Sequence, residues 1–244
     1  MLILIDNEDI RVTAILNESE DVTLCFTGIG PRTDELHVQT EEFFSLSKRS
    51  TVFFITDKKR TWGNRVDFEL LCSVLETYIK GRPINTIGNS MGGFLAILAT
   101  CFFEIKVALA FVPQFSVSKK IIPDETRFDQ YVEKISNWKY ESLKDCFNDK
   151  THYYILAGTS SEIETQQINL FPSKKNIEKL FFLNPEFDHR VAQKLKEFGI
   201  LHQVIAECFR GGSAHEIKYK CIRNQEIICC IQNEPPDAIA TSRS

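Results

Sequence analysis

Chemistry enters this chain at a serine set among glycines. Gly88-Asn89-Ser90-Met91-Gly92, followed by Gly93, fits the pattern G-x-S-x-G. In such a nucleophile elbow the chain turns sharply from strand to helix and leaves the serine at the tip. The turn strains the serine backbone, so large flanking side chains would clash. A β-rich run, Ile84 to Ile87, stands directly before the pattern, and a very apolar helical run, Met91 to about Phe103, follows it. That context argues more strongly than the glycines alone. A serine hydroxyl needs a general base to become a nucleophile, and an imidazole oriented by a carboxylate supplies one. The chain has five histidines; of these, His152 begins a strand and reads better as a strand-end residue.

The elements that must position these groups follow from hydrophobic periodicity. Leu2 to Ile5, Ile10 to Leu16, Val22 to Phe26, Thr51 to Ile55, Ile84 to Ile87, Val107 to Val112, Tyr153 to Ala157 and Leu180 to Leu183 read as strands. Between them, residues around Leu36 to Leu46 predict a helix. Val66, Leu70, Leu71, Val74, Leu75 and Tyr78 recur on one helical face, and Gly81 stops that helix. The apolar run after Ser90 predicts a helix buried against the sheet. Phe128, Tyr131, Val132 and Ile135 share helical spacing, as do Val191, Ala192, Leu195 and Phe198. Leu201, Val204, Ile205, Cys208 and Phe209 fall at i, i+3, i+4, i+7 and i+8, which favours a helix over a strand there. The alternation predicts an α/β fold, a doubly wound, mostly parallel sheet with helices on both faces. Residues 1–233 read as a single domain, with a small cap-like insertion at about 113–150. Residues 234–244 have the composition of a flexible tail.

Composition narrows the function. Hydrophobic residues make up 43% and charged residues 25%, an ordinary globular balance, and 19 Phe supply ample core. A net charge of -4, from 33 acids against 29 bases, offers no basic field for nucleic acid. No apolar run approaches the roughly 18 residues that span a bilayer, and the start, MLILIDNEDI, lacks the features of a signal peptide. The eight cysteines have no C-x-x-C spacing, so neither a metal site nor a disulfide framework is expected, and a reducing cytoplasmic setting is. Gly28-x-Gly30 could suggest a dinucleotide loop, but Thr33 stands where the third glycine belongs. No cofactor is expected.

With the elbow in its strand–helix context, the sequence resembles the α/β-hydrolase superfamily over roughly Ile10 to Phe209. The resemblance implies several roles. Phe26-Thr27-Gly28-Ile29-Gly30 occupies the place of the oxyanion loop, with Thr27 where many relatives have His, so the backbone N–H groups of Ile29 and Met91 would form the oxyanion hole. The family order of Ser, acid, His sets aside His37, which precedes the serine. It favours His189 if Leu201 to Phe209 is helical; a strand there would promote His215, with Asp188 as its acid. The orienting carboxylate belongs in the loop after Tyr153 to Ala157, where Glu162 and Glu164 both qualify. Glu164 is preferred because Gln167 and Phe171 follow it at helical spacing. The 113–150 segment carries Phe115, Phe128, Tyr131, Trp138, Tyr140 and Phe147, which could line a substrate pocket or pack as core. Trp62 is expected on an exposed loop beside the serine as a substrate contact. Ala110 to Gln114 and the elbow loosely resemble small bacterial hydrolases of surface-polysaccharide gene clusters.

The expected function is that of a serine hydrolase cleaving a small-molecule or glycan carboxylic ester through an acyl-enzyme on Ser90. An acyltransferase using the same acyl-enzyme is the near alternative, and a non-catalytic binding protein on the same scaffold is the distant one.

Overall fold

Side-chain alternation along the strands builds two cores on opposite faces of one sheet. Leu24 and Phe26, Phe53 and Ile55, Ala108 and Ala110, and Tyr153 and Ile155 face one core. Their neighbours Cys25, Val52 and Phe54, Val107 and Leu109, and Tyr154 and Leu156 face the other. A strand buried on both faces reads as a continuous apolar run, which is why the interior strands were visible in the sequence. The computed structural model describes residues 1–30, 32–33, 36–37, 39–159, 161–224 and 226–232. The expected tail at 234–244 lies outside the described residues.

The sheet has nine strands: β1 (Leu2–Asp6), β2 (Ile10–Ile15), β3 (Val22–Phe26), β4 (Thr51–Asp57), β5 (Ile84–Asn89), β6 (Ile105–Phe111), β7 (His152–Gly158), β8 (Ile177–Phe182) and β9 (Cys229–Ile231). Their spatial order is β1-β2-β4-β3-β5-β6-β7-β8-β9. The six strands β3 to β8 pair in parallel. Antiparallel β1, β2 and β9 close the two sides. The chain doubles back at β3, whose neighbours are β4 and β5. Such a switch point opens a crevice at the carboxyl ends of the strands, and there Phe26 pairs with Gly88 of the elbow.

The first core is covered by α1 (Phe68–Ile79), by α2 (Met91–Leu98) and by aromatic residues of the 113–150 segment, which has one short helix, α3 (Asp129–Val132). Asp67 caps α1 by accepting the Leu70 N–H. Every residue of α2 is buried. The second core is covered by α5 (Val191–Glu197), α6 (Leu201–Arg210) and α7 (Ala214–Ile222), and Ile168 of α4 (Glu162–Asn169) joins it. Leu201, Val204, Ile205 and Cys208 are the buried stripe of α6, so the helical expectation for this stretch is met; Gly211, at φ 86°, ends it. No described helix is long and apolar enough to cross a membrane.

Three local expectations need correction. The helix at Leu36 to Leu46 is absent from the described part of that stretch. Leu36–His37 pairs with Arg32–Thr33 as a two-residue ladder, and a 3-10 turn covers Phe44–Lys48. Phe43 precedes that turn with φ 58°, which a continuing α-helix does not allow. The run through Phe128 to Ile135 yields only the single turn of α3. The long helix after Ser90 ends at Leu98 and tightens into a 3-10 turn at Ala99–Cys101.

Candidate active site

Ser90 stands between β5 and α2 with φ 57° and ψ −122°, a backbone position that costs about 1–3 kcal/mol for a residue with a side chain. The surroundings hold it there. Its N–H donates to the Phe111 carbonyl at 2.8 Å, and its carbonyl accepts the Phe94 N–H at 3.0 Å, starting α2. The flanking glycines are required by close approach. A Cβ on Gly92 would lie 2.2 Å from the Phe26 carbonyl oxygen, and one on Gly88 would lie 2.1 Å from the Gly92 carbonyl carbon.

His189 reaches the serine from a 3-10 turn, Asp188–Arg190, that runs from the end of β8 into α5. The turn crosses the end of β7 so closely that a Cβ on Gly158 would lie 2.5 Å from the Asp188 Cα. His189 Nε2 lies 2.9 Å from Ser90 Oγ, and Nδ1 lies 2.8 Å from Glu164 Oε1. Glu164 comes from the first turn of α4, which Ser161 caps by accepting the Glu164 N–H. The structure thus brings Ser90, His189 and Glu164 into one hydrogen-bonded line. Glu162 is exposed on the other side of the same turn. His215 is exposed on α7, well along the chain from the line and not part of it. An imidazole between a hydroxyl and a buried carboxylate can take the hydroxyl proton on Nε2 while its new charge is balanced at Nδ1.

The carboxylate has its own support, which the sequence did not announce. Arg127, from the 113–150 segment, donates through Nη1 to Glu164 Oε1 and through Nε to Glu125 Oε1 at 2.8 Å. Burial alone would push Glu164 upward; the hydrogen bond and charge of His189 and the charge of Arg127 outweigh it and hold the carboxyl below its ordinary range. Burial opposes the charge on Arg127 too, yet Glu125 and Glu164 raise its affinity for the proton further. Gln167 Nε2 then donates to Glu125 Oε2 at 3.0 Å, and Gln167 Oε1 accepts the Phe115 N–H at 2.7 Å. Phe115 is joined by a peptide bond to Gln114, whose Nε2 lies 3.2 Å from Ser90 Oγ. The hydrogen bonds and this one covalent link therefore close a circuit that runs through the serine. No local spacing marks Gln114, Glu125, Arg127 or Gln167; only the fold assembles them.

Trp62 occupies the loop after β4 but is fully buried, at 0% exposure, rather than exposed as the sequence suggested. Asp57 causes this. Its buried carboxylate accepts N–H bonds from Lys59 (3.2 Å), Thr61 (2.8 Å) and Gly63 (3.1 Å) and folds the loop inward. The indole packs on Phe128 at 5.1 Å and donates to Gln114 Oε1 at 3.1 Å, so Trp62 reaches Ser90 through Gln114. The aromatics of the 113–150 segment likewise pack as core: Phe115, Phe128 and Phe147 are buried, and Tyr131, Trp138 and Tyr140 lean on the same cluster.

The loop that carries Ile29 borders the elbow, since a Cβ on Gly28 would lie 2.9 Å from the Asn89 carbonyl oxygen. It is clamped on both sides. Glu42 accepts the Gly28 N–H at 3.0 Å, Gln39 donates to the Gly28 carbonyl at 3.0 Å, and Arg60 donates to the Ile29 carbonyl at 3.0 Å. Burial pushes the Glu42 carboxyl up to about 7 against the opposing pull of the Gly28 N–H. Met91 opens α2, directly after Ser90. Among the described residues, no group of three or more His, Cys, Asp or Glu could hold a metal ion.

No protein-family model and no curated protein sequence matches the chain. Solved structures do. The capsule O-acetyltransferase of Neisseria meningitidis serogroup A superposes with a TM-score of 0.59 at 14% identity, over 81% of this chain and 93% of that one. A protein of unknown function from Staphylococcus aureus gives a TM-score of 0.50 at 12% identity, over 81% and 93%. A dipeptidyl aminopeptidase IV-like protein from Bacteroides ovatus gives 0.51 at 16% identity, over 84% of this chain and 34% of that one. With the strand order β1-β2-β4-β3-β5-β6-β7-β8 and the strand–serine–helix turn at the end of β5, these neighbours establish that the chain has the α/β-hydrolase fold.

Proposed function

We propose that this protein is a serine-dependent acyl-transfer enzyme that cleaves a carboxylic ester through an acyl-enzyme on Ser90. The observation that carries the reading is the unbroken line Ser90–His189–Glu164, at 2.9 and 2.8 Å. Ser90 Oγ attacks the ester carbonyl as His189 Nε2 takes its proton. Glu164 holds the imidazole in the tautomer that leaves Nε2 open and balances the imidazolium. The N–H groups of Ile29 and Met91 face the charge that develops on the carbonyl oxygen. His189 returns the proton to the leaving alcohol, and a water activated by the same nitrogen releases the acid.

Replacement of that water by an acceptor alcohol would make the protein an acyltransferase. Likeness to the Neisseria O-acetyltransferase favours this second reading, and a mutant of that protein was solved in complex with CoA. The reducing, cytoplasmic setting that the cysteine spacing suggests belongs to the same reading.

A fluorophosphonate should label the wild-type protein at Ser90, and Ser90→Ala should abolish labelling. Intact folded protein that does not label would sink the proposal. Product analysis of an acetyl ester with and without added alcohols then separates the readings: only acid under every acceptor means hydrolase, and transfer to one acceptor means transferase.

A further inference from the structure

The hydrogen bonds through Ser90 have a direction. Trp62 Nε1 donates to Gln114 Oε1 at 3.1 Å, and Gln114 Nε2 lies 3.2 Å from Ser90 Oγ. On the other side, Ser90 Oγ meets His189 Nε2 at 2.9 Å, and His189 Nδ1 meets Glu164 Oε1 at 2.8 Å. An indole nitrogen can only donate, and an ionised carboxylate can only accept. Fixing both ends fixes every hydrogen between them. The indole occupies the oxygen of the Gln114 amide, so its NH2 turns towards Ser90. Ser90 then accepts from Gln114 and sends its own hydrogen to His189 Nε2, and His189 carries its hydrogen on Nδ1, facing Glu164. Gln114 and Trp62 are both 0% exposed, which keeps water from replacing either bond.

Resting on the reading of Ser90 as nucleophile, the geometry points to Gln114 as a further catalytic donor, aimed at Ser90 Oγ itself, with Trp62 as the residue that positions it. Oγ bears most negative charge when its proton has passed to His189 and its bond to the acyl carbon is incomplete. That moment occurs during attack. It recurs in release, when water or an alcohol has given its proton to His189, the carbon–Oγ bond breaks, and Oγ takes the proton back from the imidazolium. The Gln114 N–H bond is strongest at both moments, so it stabilises both transition states more than the resting serine. Its target differs from that of the Ile29 and Met91 N–H groups, which serve the carbonyl oxygen.

The test compares wild type with Gln114→Met, Gln114→Glu, Trp62→Phe and the Trp62→Phe/Gln114→Met double variant. Fluorophosphonate labelling reads attack by Oγ, and stopped-flow turnover of p-nitrophenyl acetate reads attack and release separately. Both Gln114 variants keep the side-chain volume, so a space-filling role would leave them at wild-type speed. The expected loss is on the order of a hundredfold in both phases. It should be greatest for Gln114→Glu, whose carboxylate would draw the Ser90 hydrogen away from His189. Trp62→Phe keeps the ring on Phe128 and loses the N–H; its cost should vanish in the Gln114→Met background, because residues acting through one another are not additive. Gln114→Met within twofold of wild type in both phases overturns the proposal, and an undiminished cost of Trp62→Phe in the double variant overturns the part of Trp62. If the Gln114 variants do not fold, the indole N–H resonance of Trp62, one of two tryptophans, must shift when wild-type Ser90 is phosphonylated; an unmoved signal also overturns it. Ser90→Ala that remains active overturns the nucleophile itself, whereas an inactive Ser90→Ala beside fully active Gln114 variants removes only the donor.

Discussion

Two carboxyl groups near the serine are displaced in opposite directions, and the pH dependence of stability should separate them. Glu164 lies below its ordinary value of 4.5 because His189 and Arg127 together outweigh its burial. Its stabilising contribution is complete above that value and is lost as pH falls through the folded one. Glu42 lies above 4.5, at about 7, because burial dominates. In the window between those two values the folded protein binds the extra proton, so stability declines as pH rises through it. Urea unfolding across pH should therefore show Glu42→Gln flattening the upper window and Glu164→Gln flattening the acid limb. Glu164→Gln should also lower turnover by about 10³–10⁴-fold, since the amide favours the wrong imidazole tautomer. Ser90, His189 and Glu164, which the structure joins in one line, were singled out in the sequence by residue type and family order, whereas Glu162, which also qualified there, stays outside that line. Gln114 and Arg127 were not legible, because their partners lie 24 and 37 positions away and no spacing rule links them.

At the scale of elements, the elbow depends on backbones that touch. A methyl group on Gly92 would enter the Phe26 carbonyl at 2.2 Å, and backbone cannot swing aside as a side-chain tip can. Gly92→Ala should cost about 3 kcal/mol or more of unfolding free energy, seen as a lower urea midpoint, and should end fluorophosphonate labelling even where the protein still folds. This element was legible because strand, small residues and apolar helix all agree locally. The stretch before β4 was misread for the opposite reason. Its apolar residues have helical spacing, but Phe43 adopts φ 58° to stack on Phe111 at 5.8 Å, so tertiary packing overrides local propensity. β9 escaped notice because three residues, Cys229–Ile231, are too few to display an alternation.

Across the whole molecule, the choice between two histidines was a choice between two topologies. The helical stripe of α6 places the end of the parallel sheet at β8 and His189 directly after it. His215 belongs to α7, which begins with a capping box between Ser213 and Glu216. His189→Ala should thus lose about as much turnover as Ser90→Ala, because members of one proton-transfer unit fail together, while His215→Ala should stay within a few-fold of wild type in the same ester assay. The 113–150 segment has a further consequence. It supplies Gln114 to the serine at one end and Arg127 with Glu125 to the acid farther along. A hatch opens without disturbing what it covers; this segment is part of the frame. Lifting it would strip Glu164 of its guanidinium and Ser90 of its amide in one movement, so the line of Ser90, His189 and Glu164 is supported only while the segment stays in place. On the proposed function, selection for a new substrate would act by replacing single side chains of the segment, because a transplanted segment lacking an arginine in the place of Arg127 would cover a serine whose acid had lost its support.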